Sequence, residues 1–339
     1  EEISPCRYPK FRLVPHGSRK WDYPNNQSKS PPNFWPRTLM QFYFASSSAI
    51  AIPIAEKLLH RNLLAGFLSN PDKPVGRNLR QAPNPFASWA ENTKLPIFKS
   101  SDTESIKDFL TTNNVDLVIT CAFGLIIQKS LLQIPKLGWL NIHFSMLPKY
   151  RGAAPVQRAI MNGDTETGVS IFKLDEGIDT GLLAFQRKIK IDGKQKTTEV
   201  ISGLSNVASE ALVDLLRSPE DIVYFQQEGE PTFAPKISKS ENEVDWNSNS
   251  SEIFNLYRAL DLNGGLFTYF RGNRVDLTSL EPSEIKVSVS EIDSENGELL
   301  VGTKDGSIAI KTLKPQGKRE MSAKEWINGA RLVKGEKFG

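Results

Sequence analysis

Asp116-Leu-Val-Ile-Thr-Cys121 is an apolar run without polar alternation. A short run of this kind, rich in branched side chains, reads as a strand buried on both faces. Outward from it the same texture returns in Met40-Gln-Phe-Tyr-Phe-Ala45 and in Asn62-Leu-Leu-Ala-Gly-Phe-Leu68, and Leu140-Asn-Ile-His143 ends a further strand. Ile50 to His60 places Ile50, Ile54, Leu58 and Leu59 near helical spacing, and Thr103 to Thr112 also reads as a helix. Asn70 to about Pro85 reads as a polar, Pro-rich loop. Strands alternating with helices predict an α/β fold with a doubly wound parallel sheet. Such sheets bind ligands beyond the carboxyl ends of their strands, where the strand order reverses.

Further along, Gly168–Leu174 and Leu182–Ile191 are strand candidates joined by Asp175-Glu-Gly-Ile-Asp-Thr-Gly181, and Val200–Leu216 reads as an amphipathic helix. Residues 218–240 are polar and carry Pro219, Pro231 and Pro235, which suits a linker. Beyond them come short alternating runs at Leu266–Phe270, Arg274–Leu277, Ile285–Val289, Gly297–Val301 and Ser307–Thr312. Their spacing predicts a small β-barrel. The expected division is an unstructured extension at 1–39, a sheet domain at 40–222, a linker at 223–240 and the barrel at 241–339. Residues 1–39 hold seven of the 21 prolines, show no helical or strand period and contain no apolar signal core. A transit segment is the alternative reading of that extension.

The 339 residues suit two or three domains. No apolar stretch reaches the ~20 residues of a membrane-spanning helix, and the richest, Leu117–Ile127, is interrupted by Thr120 and Gly124. A net charge of +3 is low for a bulk nucleic-acid binder, so any RNA contact must be local. The two cysteines, Cys6 and Cys121, make neither a disulfide framework nor a zinc knuckle, and a reducing compartment is the default. Dinucleotide, Walker A and nucleophile-elbow signatures are absent from the sequence.

The densest polar constellation is Asn141-Ile-His-Phe-Ser-Met-Leu-Pro-Lys-Tyr-Arg-Gly-Ala-Ala-Pro155. Asn141 and His143 stand at i and i+2 on a strand end, so both side chains lean to one face. Imidazole exchanges protons near neutrality, and a carboxamide can donate to a developing oxyanion. On spacing alone, a hydrogen-bonded core histidine and a turn-forming asparagine are the plainer reading. Asp179 lies in a turn between Gly177 and Gly181, where an ordinary turn aspartate is equally at home.

At these residues the chain resembles the methionyl-tRNA formyltransferase family, bacterial type. The resemblance is carried by Asn141 through Gln157, by Gly163-Asp-Thr-Glu-Thr-Gly168 and by Asp175–Gly181. Asn70-Pro-Asp-Lys-Pro-Val-Gly-Arg77, Ala122-Phe-Gly-Leu-Ile126 and Leu313-Lys-Pro-Gln-Gly-Lys-Arg-Glu-Met-Ser322 add to it. It implies transfer of a formyl group from 10-formyltetrahydrofolate to the α-amino group of methionine on initiator Met-tRNA, with no metal. It also implies an OB-like form for the C-terminal barrel. By motif position the catalytic set is Asn141, His143 and Asp179, with Asp179 orienting His143 and raising its pKa. His143 then acts either as an imidazolium that steadies the oxyanion or as a proton carrier. The folate would be held by Ser145, Met146, Leu147 and Pro148 together with Phe123, Gly124 and Leu125. The tRNA would meet Lys73 and Arg77, and on the barrel Lys314, Lys318 and Arg319. A monomer in the bacterial cytoplasm is expected, with an organelle as the alternative location.

Two departures from the family pattern stand out. A Gly-Thr-Pro turn after the first strand is replaced by Ala45-Ser-Ser-Ser-Ala49, where serine adopts a left-handed turn less easily than glycine. An Asn-Pro-Trp-Pro run of the barrel appears as Asn263-Gly-Gly-Leu-Phe267. Two other functions remain open on sequence: a formyltransferase acting on another amine, such as an amino-sugar nucleotide, and a non-catalytic RNA-binding protein that keeps the fold.

Overall fold

The computed structural model describes residues 40–76, 79–294 and 297–339. The extension 1–39 and the candidate tRNA contact Arg77 lie outside the described residues.

The N-terminal sheet has seven strands: β1 (Phe42–Ala45), β2 (Gly66–Ser69), β3 (Ile97–Lys99), β4 (Leu117–Thr120), β5 (Gly138–His143), β6 (Glu166–Lys173) and β7 (Leu183–Lys190). Their order is β7-β6-β5-β4-β1-β2-β3. Neighbours from β5 through β3 are parallel, while β6 and β7 join antiparallel. The order reverses between β1 and β4, so a crevice is expected where Ser46 and Ala122 leave those two strands.

Both faces of the sheet are covered, which is why its central strands are apolar throughout. Phe42, Phe44, Leu117 and Ile119 pack with helix α1 (Ile52–His60) on one side. Tyr43, Ala45 and Val118 pack with Ile106 and Leu110 of helix α2 (Thr103–Thr112) on the other. Asp102 caps α2 by accepting from the Ser105 N–H at 2.8 Å. Helix α3 (Thr197–Leu215) buries Val200, Leu204, Ala208 and Leu212, one residue per turn, against the α1 face.

The segment expected as a loop after Asn70 contains a hairpin, Lys73–Val75 with Arg80–Ala82, and a short helix at Pro85–Ala90. The serine turn is accommodated without left-handed backbone at Ser46, Ser47 or Ser48. The Ser46 N–H donates to the Leu68 carbonyl at 3.1 Å, and the Ser46 hydroxyl accepts from the Ser48 N–H at 3.1 Å.

The C-terminal sheet contains β8 (Leu266–Phe270), β9 (Asn273–Ser283), β10 (Ile292–Asp293), β11 (Leu299–Gly302), β12 (Ser307–Pro315) and β13 (Met321–Ser322). It is antiparallel, in the order β8-β9-β12-β11-β10, with β13 on β12. Its end strands β8 and β10 do not pair among the described residues, so the barrel stays half open. Trp246, Phe270, Trp326 and Phe338 stack in its core. The strand expected at Ile285–Val289 does not form. Only Val289 makes an isolated bridge, to Gly302. The run meets β11 in that one bridge, and strand propensity alone does not make a ladder. Gly264 and Gly265 both take positive φ, 95° and 71°, which explains two glycines where the family pattern has bulkier residues. Among the described residues no helix is long and apolar enough to cross a membrane.

Candidate active site

Asn141 ends the apolar part of β5 and pairs in register with Thr120, the last residue of β4. The Thr120 hydroxyl donates to Asn141 Oδ1 at 2.7 Å. That fixes the amide: Oδ1 is committed inside the sheet, and Nδ2 is left to donate into the crevice. Thr120 was not singled out from sequence. Its replacement by valine, which keeps the shape and removes the hydroxyl, is expected to lower turnover by about tenfold, the equivalent of one hydrogen bond. Steady-state rates with unchanged substrate binding are the check.

Two residues on, His143 is 5% exposed. Its Nε2 lies 2.8 Å from the Tyr150 carbonyl oxygen. A carbonyl only accepts, so Nε2 carries the proton and Nδ1 presents a lone pair. Asp179 Oδ2 lies 3.6 Å from Nδ1, too far for a direct hydrogen bond. The hydrogen bond on the ring is the one to Tyr150, and Asp179 faces the other nitrogen with its charge. Asp179 Oδ2 is itself held by the Gly152 N–H at 2.8 Å. Burial pushes the imidazole below its ordinary pKa, against the smaller upward pulls of the Asp179 charge and the Tyr150 carbonyl. The Asp179 charge does pull the pKa up, as the resemblance implied, but desolvation outweighs it and resting His143 is neutral. Tyr150 and Asp179 both hold left-handed backbone, with φ of 62° and 51°.

The strand ends around this pair form the rest of the crevice. Asn70 Nδ2 donates to Ser47 Oγ at 2.8 Å and to the Phe123 carbonyl at 2.9 Å, tying together the turns after β1, β2 and β4. Asn70 Oδ1 is buried without a partner among the described residues. Gly124 is exposed and Leu125 half-buried, whereas Phe123 is buried in the core. The loops after β4 and β6 are bridged by Lys129 and Glu176 at 2.7 Å, and they carry the exposed Ile126 and Ile178. Cys121 is buried and its thiol is pushed up to about 12, so it is no nucleophile at neutral pH.

The Ser145–Pro148 segment is mostly turned inward. The Ser145 hydroxyl donates to the Lys149 carbonyl at 2.6 Å, and Leu147 packs on Phe172 and Leu183. Met146 is half-buried beside Gly168. Met146, Leu147 and Pro148 line a pocket together with Thr165, Thr167 and Gln186. Lys73 is exposed on the hairpin that follows the carboxyl end of β2, a strand parallel to the one that ends in Asn141 and His143. Lys314, Lys318 and Arg319 are exposed at the end of β12 and in the turn after it, on the C-terminal sheet. Arg319 pairs with Glu325 at 3.5 Å.

Residues 48–216 match the formyl transferase family model, and residues 236–331 match the formyl transferase C-terminal domain. The methionyl-tRNA formyltransferase of Caldicellulosiruptor saccharolyticus is 33% identical over 88% of this chain and 99% of its own. That of Thermus thermophilus is 35% identical over 88% of this chain and 99% of its own. Among solved structures, HypX from Aquifex aeolicus in complex with tetrahydrofolic acid shares the fold at a TM-score of 0.61 and 17% identity, over 86% of this chain and 47% of that one. With the amide and imidazole on the strand beside the switch point of its sheet and full-length relatives at this identity, the chain belongs to the methionyl-tRNA formyltransferase family.

Proposed function

We propose that this chain transfers the formyl group of 10-formyltetrahydrofolate to the α-amino group of methionine on initiator Met-tRNA. The observation that carries the reading is the pairing of a Thr120-held Asn141 amide with a neutral, Tyr150-held His143 at one crevice mouth. Asn70 Oδ1, a buried acceptor without a partner among the described residues, and the exposed faces of Ile126 and Ile178 fit a flat ring that bears N–H groups. The folate, when bound, supplies the activated formyl carbon.

Asn141 Nδ2 donates to the formyl oxygen as negative charge develops there. His143 Nδ1 takes the proton that the amine loses on forming its new bond to carbon. The resulting imidazolium is steadied at one nitrogen by the Tyr150 carbonyl and at the other by Asp179. The proton then passes to the folate nitrogen as its bond to the formyl carbon breaks. Gly124 and Leu125 line the folate end of the crevice, with Met146 and its neighbours as wall. Lys73 and Arg77 reach the acceptor end of the tRNA, and Lys314, Lys318 and Arg319 meet its phosphates from the C-terminal sheet. Residues 40–222 act as the catalytic domain, 223–240 as the connection and 241–339 as the tRNA grip. The bacterial cytoplasm is the proposed setting.

Formyl transfer measured with the full chain and with a chain starting at Met40 tests this. Charged initiator tRNA is offered against amino-sugar nucleotides. Formylation of the tRNA alone, by both chains, is expected. Turnover of the amino sugar without the tRNA would replace the substrate assignment. Folate and tRNA binding with no turnover of either amine would favour the non-catalytic RNA-binding reading.

A further inference from the structure

The segment between the two sheets is stitched onto the very residues that hold His143 and Asp179. Phe225 exchanges backbone hydrogen bonds with Leu183, at 2.8 and 2.9 Å. Two residues on, Gln227 Nε2 donates to the carbonyls of Asp179 and Gly181, at 2.8 and 2.9 Å. Its Oε1 accepts from the Arg151 guanidinium at 2.6 Å, which sets the amide the right way round. The Thr232 hydroxyl accepts from the Tyr150 N–H at 2.8 Å. Phe233 and Ala234 then pair in parallel with Arg151 and Gly152, and the Gly152 N–H is the donor to Asp179.

Tyr150 and Asp179, the two residues that face the ring nitrogens of His143, both hold left-handed backbone. Such backbone persists only where its surroundings over-determine it. Each of the two is gripped by one side chain of the connecting segment, Tyr150 by Thr232 and Asp179 by Gln227. Gly152 leaves no slack: a Cβ there would stand 2.7 Å from the Ala234 carbonyl oxygen.

From this arrangement we infer that Gln227 and Thr232 are positioning residues for formyl transfer, setting the spacing between His143 on β5 and Asp179 in the loop after β6 from the connecting segment. The inference rests on the site assignment made under the proposed function. The group that takes the proton and the charge that steadies the resulting imidazolium are 3.6 Å apart through this scaffold. A misplacement of about 1 Å in such a constellation can cost on the order of 10²-fold in rate.

The test compares Gln227→Ala, Thr232→Val and Thr232→Ser in the full chain with charged initiator tRNA, alongside His143→Ala. Melting temperatures report that each variant is folded. Gln227→Ala and Thr232→Val are expected to lower kcat by about 10- to 100-fold with KM for folate and tRNA unchanged. Thr232→Ser, which keeps the hydroxyl, is expected to restore it. Wild-type kcat in both Gln227→Ala and Thr232→Val, or Thr232→Ser as impaired as Thr232→Val, would overturn the inference while His143→Ala remains inactive. Retained turnover in His143→Ala would instead overturn the site assignment beneath it.

Discussion

Replacing His143 with alanine is expected to lower kcat for formyl transfer by about 10²–10⁴-fold, the range that a positioned acid–base group contributes. Binding of folate and tRNA should survive, because His143 is buried and its ring contacts are internal. The pH dependence follows from the same burial. The working form is the neutral imidazole, and the buried site holds its pKa below the ordinary value of about 6.5. As pH falls, activity should therefore persist past that ordinary value and decline only lower, with protonation of Nδ1. Asp179→Asn removes the charge that favours the protonated ring, so the decline should move to still lower pH while kcat also drops. A plateau that ends at or above the ordinary imidazole range would show a cationic resting His143. Near-wild-type turnover in His143→Ala would sink the proton-transfer role altogether.

The residues that were legible in the sequence are those whose role is local. Leu117–Thr120 announces a two-faced buried strand because helices cover it on both sides. Thr103–Thr112 announces a helix because Asp102 caps it and Ile106 and Leu110 share a face. That Asn141 and His143 share a face could be read from their i, i+2 spacing, while their catalytic role came only with the resemblance. No such spacing marks Thr120, Tyr150, Gln227 or Thr232. Each acts across a long sequence separation or through a backbone atom, and a carbonyl such as that of Tyr150 leaves no residue-type signature. Gln227 meets Asp179 across 48 residues, and Thr232 meets Tyr150 across 82. Ile97–Lys99 escaped because a three-residue, half-buried edge strand has too little length for a period. The sign of the His143 shift escaped for another reason. The opposing charge is visible in a motif, but the loss of solvent that outweighs it belongs to the packed structure.

Asn141→Ala is expected to cost about 10²–10³ in kcat, the usual effect of deleting one preorganised oxyanion donor. The loss should fall on kcat more than on KM, since charge on the formyl oxygen grows only as the new bond forms. Asn141→Asp should be at least as damaging, because it offers acceptor oxygens where a donor is needed. The decisive comparison is with Thr120. If the Thr120 hydroxyl serves only to turn the Asn141 amide, then Thr120→Val should matter while Asn141 is present and add nothing once Asn141 is alanine. The double variant should thus match Asn141→Ala alone, a strongly non-additive cycle of the kind that contacting residues give. Independent losses that simply multiply would mean that Thr120 acts on the reaction by another route, and that the amide is held by something other than the 2.7 Å contact between the two strand ends.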